Sequence, residues 1–356
     1  MSKLFSPITL RGTTLENRIV VSPMCQYSAT DGLANAWHLV NLGSYALSGP
    51  GLAFLEATHV SPEGRITDKC LGLWSDEHER ALAPIVAFYR TWTTSKIGVQ
   101  LAHAGRKGST LPPWEGGTAL PPDRAYATVA PSAVPYNGYQ TPVELDAAGL
   151  EKVKSDFVNA ALRAERLGID VVELHFAHGY LAHEFLSPLS NHRTDAYGGS
   201  LENRLRFPLE LFDAVRAVWP QEKPLGVRIS ASDWVSGGWD VEQSIAFVKE
   251  LQQRSVDFID VSSGGLDPGQ KIEIGPGYQV PFSEAIKNAT GVTTFSVGMI
   301  TEPAQAEEIV ASGQADCVAI ARGFIRNPRW VWDAADALGA ESFVPPEYLR
   351  GRRTVV

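Results

Sequence analysis

Eight short apolar runs recur along the chain, separated by segments of helical periodicity. They are RIVVSPM (18–24), LAFLEAT (52–58), KIGVQLAH (96–103), DVVELHF (170–176), LGVRISA (225–231), DFIDVSSG (257–264), TTFSVGM (293–299) and CVAIARG (317–323). Their apolar character is nearly continuous rather than alternating, as in parallel strands covered on both faces. Between 146 and 168, apolar residues at 150, 153, 157, 158, 161 and 162 follow a helical period, and Gly168 stands where a left-handed C′ residue would. A second helix opens with Ser200 as its N-cap. A third opens with Thr301 as N-cap and Pro303 in the first turn. Eight strands alternating with helices predict an α/β fold: a single (β/α)8 TIM-barrel domain over residues 1–356. An open doubly wound sheet is the rival, but no GxGxxG follows the first strand. The stretch 111–142, with seven prolines, is too long for an ordinary connection. It is either a surface excursion after the third strand or a cap over the barrel mouth.

Composition narrows the partners. A net charge of −9 argues against nucleic acid or an anionic membrane surface. No apolar stretch reaches the length of a membrane span, and the first residues lack the apolar run of a signal peptide. Cys25, Cys70 and Cys317 are too few and too scattered for a disulfide framework or an iron–sulfur site. A cytoplasmic protein of a reducing compartment is expected.

Chemistry in such a barrel belongs at the C-terminal ends of the strands. Those ends read SPMCQY, EAT, QLAHAGR, HFAHGY, RIS, SSGG, VGM and ARG, so polar groups and glycines collect there. Residues three apart in a strand face opposite sides. His175 and His178 can therefore converge only if the fourth strand ends between them, with Gly179 turning the chain to bring Tyr180 alongside. Two imidazoles can hold one oxygen, and a neutral phenol, with an ordinary pKa of about 10, can protonate a carbanion. As a zinc motif, HxxH without a carboxylate or cysteine partner is weak, so no metal is expected. Gly298 and Arg322, at the ends of the seventh and eighth strands, stand where barrels bind phosphate. With Arg228 on the fifth strand they indicate an anionic cofactor with a phosphate tail.

The stretches LFSPITLRGTTLENRIVVSPMCQYSA, QLAHAGRKG, HFAHGYLAHEFLSP, NHRTDAYGGSLENRLRFPLEL and ARGFIRNPRW, in this order, identify a resemblance covering essentially the whole chain. The chain resembles the Old Yellow Enzyme family of FMN-dependent ene-reductases. Cys25 after SPM, and YLRG near the C-terminus, resemble its thermophilic-like or xenobiotic-reductase branch. The resemblance implies that Ser22, Pro23, Met24 and Cys25 line the flavin ring, with Ala57 beneath it. Gln100 would meet the pyrimidine edge, and Arg228 would stabilise charge at N1. Gly298, Met299, Ala321 and Arg322 would hold the ribityl and phosphate. His175 and His178 would bind a substrate carbonyl oxygen, Tyr27 would face the substrate, and Tyr180 would donate the proton. Arg350 would reach a neighbouring subunit's site, implying a homodimer or homotetramer.

The implied activity is NAD(P)H:alkene oxidoreduction of α,β-unsaturated carbonyl compounds, with NADPH or NADH as donor and nitro compounds as a second substrate class. Phe176 stands where many relatives carry a small residue, which bears on substrate range, and Ala321 where glycine is common, which slightly alters the phosphate loop. The rivals are a flavin dehydrogenase or demethylase of the same fold, a non-redox lyase using the histidine pair, and a flavin-binding regulator without turnover.

Overall fold

The computed structural model describes residues 2–352. All eight expected strands form and close into one parallel barrel. They are β1 (Ile19–Val21), β2 (Leu52–His59), β3 (Lys96–Ala102), β4 (Val171–Phe176), β5 (Leu225–Ser230), β6 (Phe258–Ser262), β7 (Thr294–Ser296) and β8 (Cys317–Ile320). Each pairs with its sequence neighbour, and β8 closes on β1 through Val318–Ile19, Ala319–Val20 and Ile320–Val21. The strands are almost wholly buried, which explains their unbroken apolar sequence. β1 and β7 are shorter than the apolar runs that mark them, because beyond Val21 and Ser296 the chain leaves the ladder to build the mouth.

Helices Ala36–Ala46, Asp76–Trp92, Ala147–Arg166, Leu201–Val218, Val241–Gln253, Val280–Thr290, Pro303–Ala311 and Trp330–Leu338 surround the barrel. The helix ending at Arg166 closes as expected. Gly168 is left-handed (φ +80°), its N–H donates to the Glu165 carbonyl, and the Ile169 N–H donates to that of Ala164. Ser200 caps its helix by accepting from the Asn203 N–H. The Thr301 expectation is off by one. The cap is Glu302, because Pro303 occupies the first helical position and the cap is the residue before it. No helix among the described residues is long and apolar enough to cross a membrane.

The barrel interior is layered. At the N-terminal end, Phe54, Phe258 and Phe295 fill the bore, with the Phe258 and Phe295 rings stacked 4.5 Å apart. Gly98 and Gly226 make this possible. A Cβ at Gly98 would lie 2.5 Å from Phe54, and one at Gly226 2.2 Å from Phe258. A short hairpin (Ile8–Leu10 with Thr13–Leu15) adds Leu10 and Leu15 and closes this end. Each fully buried phenylalanine contributes about 1.5–3 kcal/mol. With the bottom plugged, ligands can enter only at the C-terminal mouth.

The 111–142 excursion lies at that mouth. Lys69–Glu115 (2.6 Å) and Arg124–Asp68 (2.6 Å) ion pairs hold it to the segment after β2, and the Tyr126 hydroxyl donates to the Arg65 carbonyl (2.7 Å). It carries Trp114, whose ring meets Tyr27 edge-on at 5.5 Å. Of the two readings of this stretch, its position favours the cap.

Candidate active site

Above the phenylalanine layer the bore turns polar. Gln100 and Glu173 stand in register on β3 and β4, and the Gln100 amide donates to the Glu173 carboxyl at 2.7 Å. On β5 and β6, Arg228 pairs in register with Asp260, with its Nε 3.5 Å from the carboxylate. A second Arg228 nitrogen donates to the Ser22 hydroxyl at the end of β1 (3.1 Å). All five side chains are buried. Burial first, and then the Asp260 charge, push the Glu173 carboxyl well up, with Arg228 opposing. Burial likewise raises Asp260. Among the described residues Arg228 Nε has no hydrogen-bond partner. A buried guanidinium with a free donor beside a neutral-leaning acid is a charge waiting for an anionic or electron-rich ligand.

β4 ends at Phe176, between the two histidines, as their convergence requires. His178 and Gly179 are both left-handed (φ +61° and +74°). A Cβ on Gly179 would meet the Gly265 carbonyl oxygen at 2.3 Å, so only glycine fits there. The turn folds His178 back over His175. Their facing nitrogens, His178 Nδ1 and His175 Nε2, lie 3.4 Å apart, close enough for one oxygen to reach both. His178 Nε2 lies 2.8 Å from the Ser262 hydroxyl. If that hydroxyl donates, the His178 proton sits on Nδ1, facing the site. Burial first, then the Arg228 charge, hold both imidazoles well below their ordinary pKa. Both imidazoles are neutral at neutral pH.

The Tyr180 ring stands edge-on to His175 at 5.1 Å. Burial, followed by Cys25 and Tyr27, pushes its phenol well up, so it keeps its proton. Cys25, Tyr27 and Tyr180 pack together around Ile66, Cys70 and Ala104. Burial, then Cys70 and Glu56, keep Cys25 a neutral thiol. Ala57 follows a register shift after Leu55 in β2. The Lys107 ammonium donates to the carbonyls of His178 (2.8 Å) and Gly265 (2.5 Å), and burial lowers its pKa to about 8.

A cavity of about 610 Å³ opens beside these groups at the ends of β7 and β8. Gly298, Met299, Ala321 and Arg322 line it. Gly298 (φ +127°) has no room for a Cβ, which would lie 2.9 Å from the Gln279 amide nitrogen. Tyr278, Gln279 and Ser262 also line it and were not singled out from the sequence. Gln279 is clamped by Ser263 (2.6 Å) and by the Val297 carbonyl (3.0 Å). Its stretch, GPGYQV, has no strand or helix period to draw attention. Glu56 was also missed. It accepts from the Gln26 N–H (3.0 Å), fixing the loop that carries Cys25 and Tyr27. An acid inside the apolar run LAFLEAT was the available signal.

One sequence expectation comes out differently. Phe176 does not face the site. Strand alternation turns it outward, where it is fully buried against Phe247 (ring centroids 6.5 Å apart). Arg350 lies on an exposed turn, Pro346–Gly351, whose Tyr348 packs on Trp332. This chain's own pocket is built without it.

The remaining residues fit a flavin nucleotide. A cavity lined by Gly298 and Arg322 suits a phosphate-bearing chain. The Gln100 amide and the unsatisfied Arg228 Nε suit the polar edge of the ring, and the Cys25–Tyr27 cluster offers it a partly apolar wall.

Comparison with known proteins agrees. The model of the NADH:flavin oxidoreductase / NADH oxidase family matches residues 3–341. The chain is 46% identical over 353 residues to an NADPH dehydrogenase of Geobacillus thermodenitrificans (strain NG80-2), covering 98% of each. It is 46% identical over 352 residues to an NADPH dehydrogenase of Bacillus subtilis (strain 168), covering 98% of this chain and 99% of that one. Among solved structures, morphinone reductase superposes with a TM-score of 0.80 at 28% identity, covering 97% of this chain and 92% of that one. With a barrel, a cavity at the strand ends and relatives matched over nearly their whole length in agreement, the chain belongs to the NADH:flavin oxidoreductase / NADH oxidase family, the Old Yellow Enzyme family, and is an oxidoreductase using FMN and NAD(P)H.

Proposed function

We propose that this enzyme reduces the C=C bond of α,β-unsaturated carbonyl compounds. The observation that carries this reading is the His175–His178 pair, with two neutral nitrogens 3.4 Å apart beside a protonated Tyr180. His175 and His178 hold the carbonyl oxygen, and their hydrogen bonds strengthen as negative charge develops there. FMN, when bound, would supply hydride chemistry at this site, with NAD(P)H as its reductant. Tyr180 gives its hydroxyl proton to the α-carbon, which balances the hydride gained at the β-carbon. Arg228 and Gln100 would hold the flavin's pyrimidine edge, and Ser22, Pro23, Met24, Cys25 and Ala57 would line its ring. Gly298, Met299, Ala321 and Arg322 would take the ribityl phosphate. Tyr27, beneath Trp114, borders the substrate.

A nitro group offers oxygens to the same histidine pair, so nitro compounds form a second substrate class. The names of the relatives support NADPH as donor. A cytoplasmic homo-oligomer of one-domain subunits, with Arg350 presented to a neighbouring copy, belongs to the same reading. Its support is the exposure of Arg350 and the free cysteines. The test is product analysis after anaerobic incubation with NADPH and 2-cyclohexenone. Cyclohexanone is the expected product. Recovery of the allylic alcohol, or of unreacted enone, overturns the proposal.

A further inference from the structure

We infer that His183 and Asp233 form a positioning relay that holds the His178–Gly179 turn in its left-handed conformation and so sets the aim of His178 and Tyr180. The inference rests on the reading of those two side chains as substrate-facing.

The turn is unfavourable on its own. His178 has a β-carbon, yet it adopts φ +61°, directly before Gly179 at φ +74°. Something must hold it. The His178 N–H donates to the Ser230 hydroxyl (2.9 Å), and Lys107 holds the His178 carbonyl (2.8 Å). The remaining peptide N–H, that of Gly179, donates to His183 Nδ1 at 2.9 Å. A backbone amide can only donate, so Nδ1 must accept and carries no proton. A neutral imidazole then has its proton on Nε2. That nitrogen stands 2.9 Å from Asp233 Oδ1, a charge contact rather than an aligned hydrogen bond, and both side chains are completely buried. Asp233 is itself fixed by the Ser187 hydroxyl (2.6 Å) and the Trp239 N–H (2.7 Å). Asp233 therefore selects the one tautomer of His183 that can anchor Gly179. On the far side the Gly265 backbone blocks retreat of the turn, at 2.3 Å from where a Gly179 β-carbon would lie. His183 touches neither reacting atoms nor cofactor. It acts through the backbone of the turn.

Two isosteric substitutions separate the contacts. In His183→Asn the amide oxygen falls near the Nδ1 position, keeping an acceptor for Gly179 and losing Asp233. In His183→Gln the amide falls near the Nε2 position, keeping Asp233 and losing Gly179. In the holoprotein, amide hydrogen exchange at Gly179 and the dissociation constant for 2-cyclohexenone are measured. His183→Gln is expected to raise both about tenfold, the weight of one buried hydrogen bond. His183→Asn should keep both within about threefold of the parent, since the bond is retained. Unchanged Gly179 exchange in His183→Gln, or His183→Asn failing as badly, overturns the relay. If exchange follows the predicted order while enone affinity does not move, the anchor is upheld and the substrate-facing reading of the turn falls. The unaltered protein gives an independent test through the ¹⁵N shifts of His183. An unprotonated Nδ1 at neutral pH is expected, and a protonated Nδ1 contradicts the relay.

Discussion

Tyr180→Phe isolates one hydroxyl. The substitution keeps the ring that stands edge-on to His175 at 5.1 Å and lies 5.3 Å from the Lys107 ammonium. Among the described residues the Tyr180 hydroxyl has no hydrogen-bond partner, so no protein bond is lost and stability should hold within about 0.5 kcal/mol. What disappears is the general acid, a contribution of about 10²–10⁴ in rate, or roughly 3–5 kcal/mol. Tyr27 packs in the same cluster, and burial keeps its phenol protonated too. That second hydroxyl can partly substitute, which places the expected loss near the lower end, about 10²-fold. Adding Tyr27→Phe should extend it. The assay is stopped-flow absorbance of the flavin in both half-reactions. Reduction by NADPH should survive while reoxidation by enone slows. An unchanged oxidative half-reaction in Tyr180→Phe refutes the assignment of the proton donor.

Three further outcomes are expected. Gly179→Ala forces a β-carbon against the Gly265 backbone at φ +74°, and should destabilise the fold by about 2 kcal/mol or more in urea melts; an unchanged midpoint would contradict the close approach. Arg322→Ala should weaken FMN binding about 10–100-fold by fluorescence titration while leaving riboflavin binding unaltered, since it removes a charged partner for phosphate alone. Burial, opposed by Arg106, pushes the buried Glu184 carboxyl from its ordinary value of 4.5 up to about 8. A raised carboxyl stabilises the fold fully below its unfolded value and loses that contribution as pH climbs to the folded one. Relative to Glu184→Gln, the parent should therefore lose roughly 1.4 kcal/mol per pH unit across that window, and parallel stability–pH curves would exclude the shift.

The barrel was legible because strands covered on both faces write an unbroken apolar run, and all eight were placed. The site was legible where a polar residue interrupts a strand end, as at His175 and Arg228. It was less so where cavity-lining residues sit in loops without a period, as at Tyr278 and Gln279. Glu173 and Asp260 lay in plain view inside VVELHF and DFIDVSSG. An acid in an apolar strand is read correctly only when its partner across the bore is known, and register alone supplies that partner. Phe176 shows the converse. Its place between two histidines suggested the pocket, but the alternation of the strand sends it to the core. His183 and Asp233 lie fifty residues apart in sequence, and nothing local joins them.

The most direct test of the central claim is anaerobic single-turnover reoxidation of the reduced holoprotein by 2-cyclohexenone. Rapid return of the oxidised-flavin absorbance, with one equivalent of cyclohexanone formed per flavin, is the predicted result. A flavin that NADPH reduces but the enone leaves reduced would contradict alkene reduction as this enzyme's reaction.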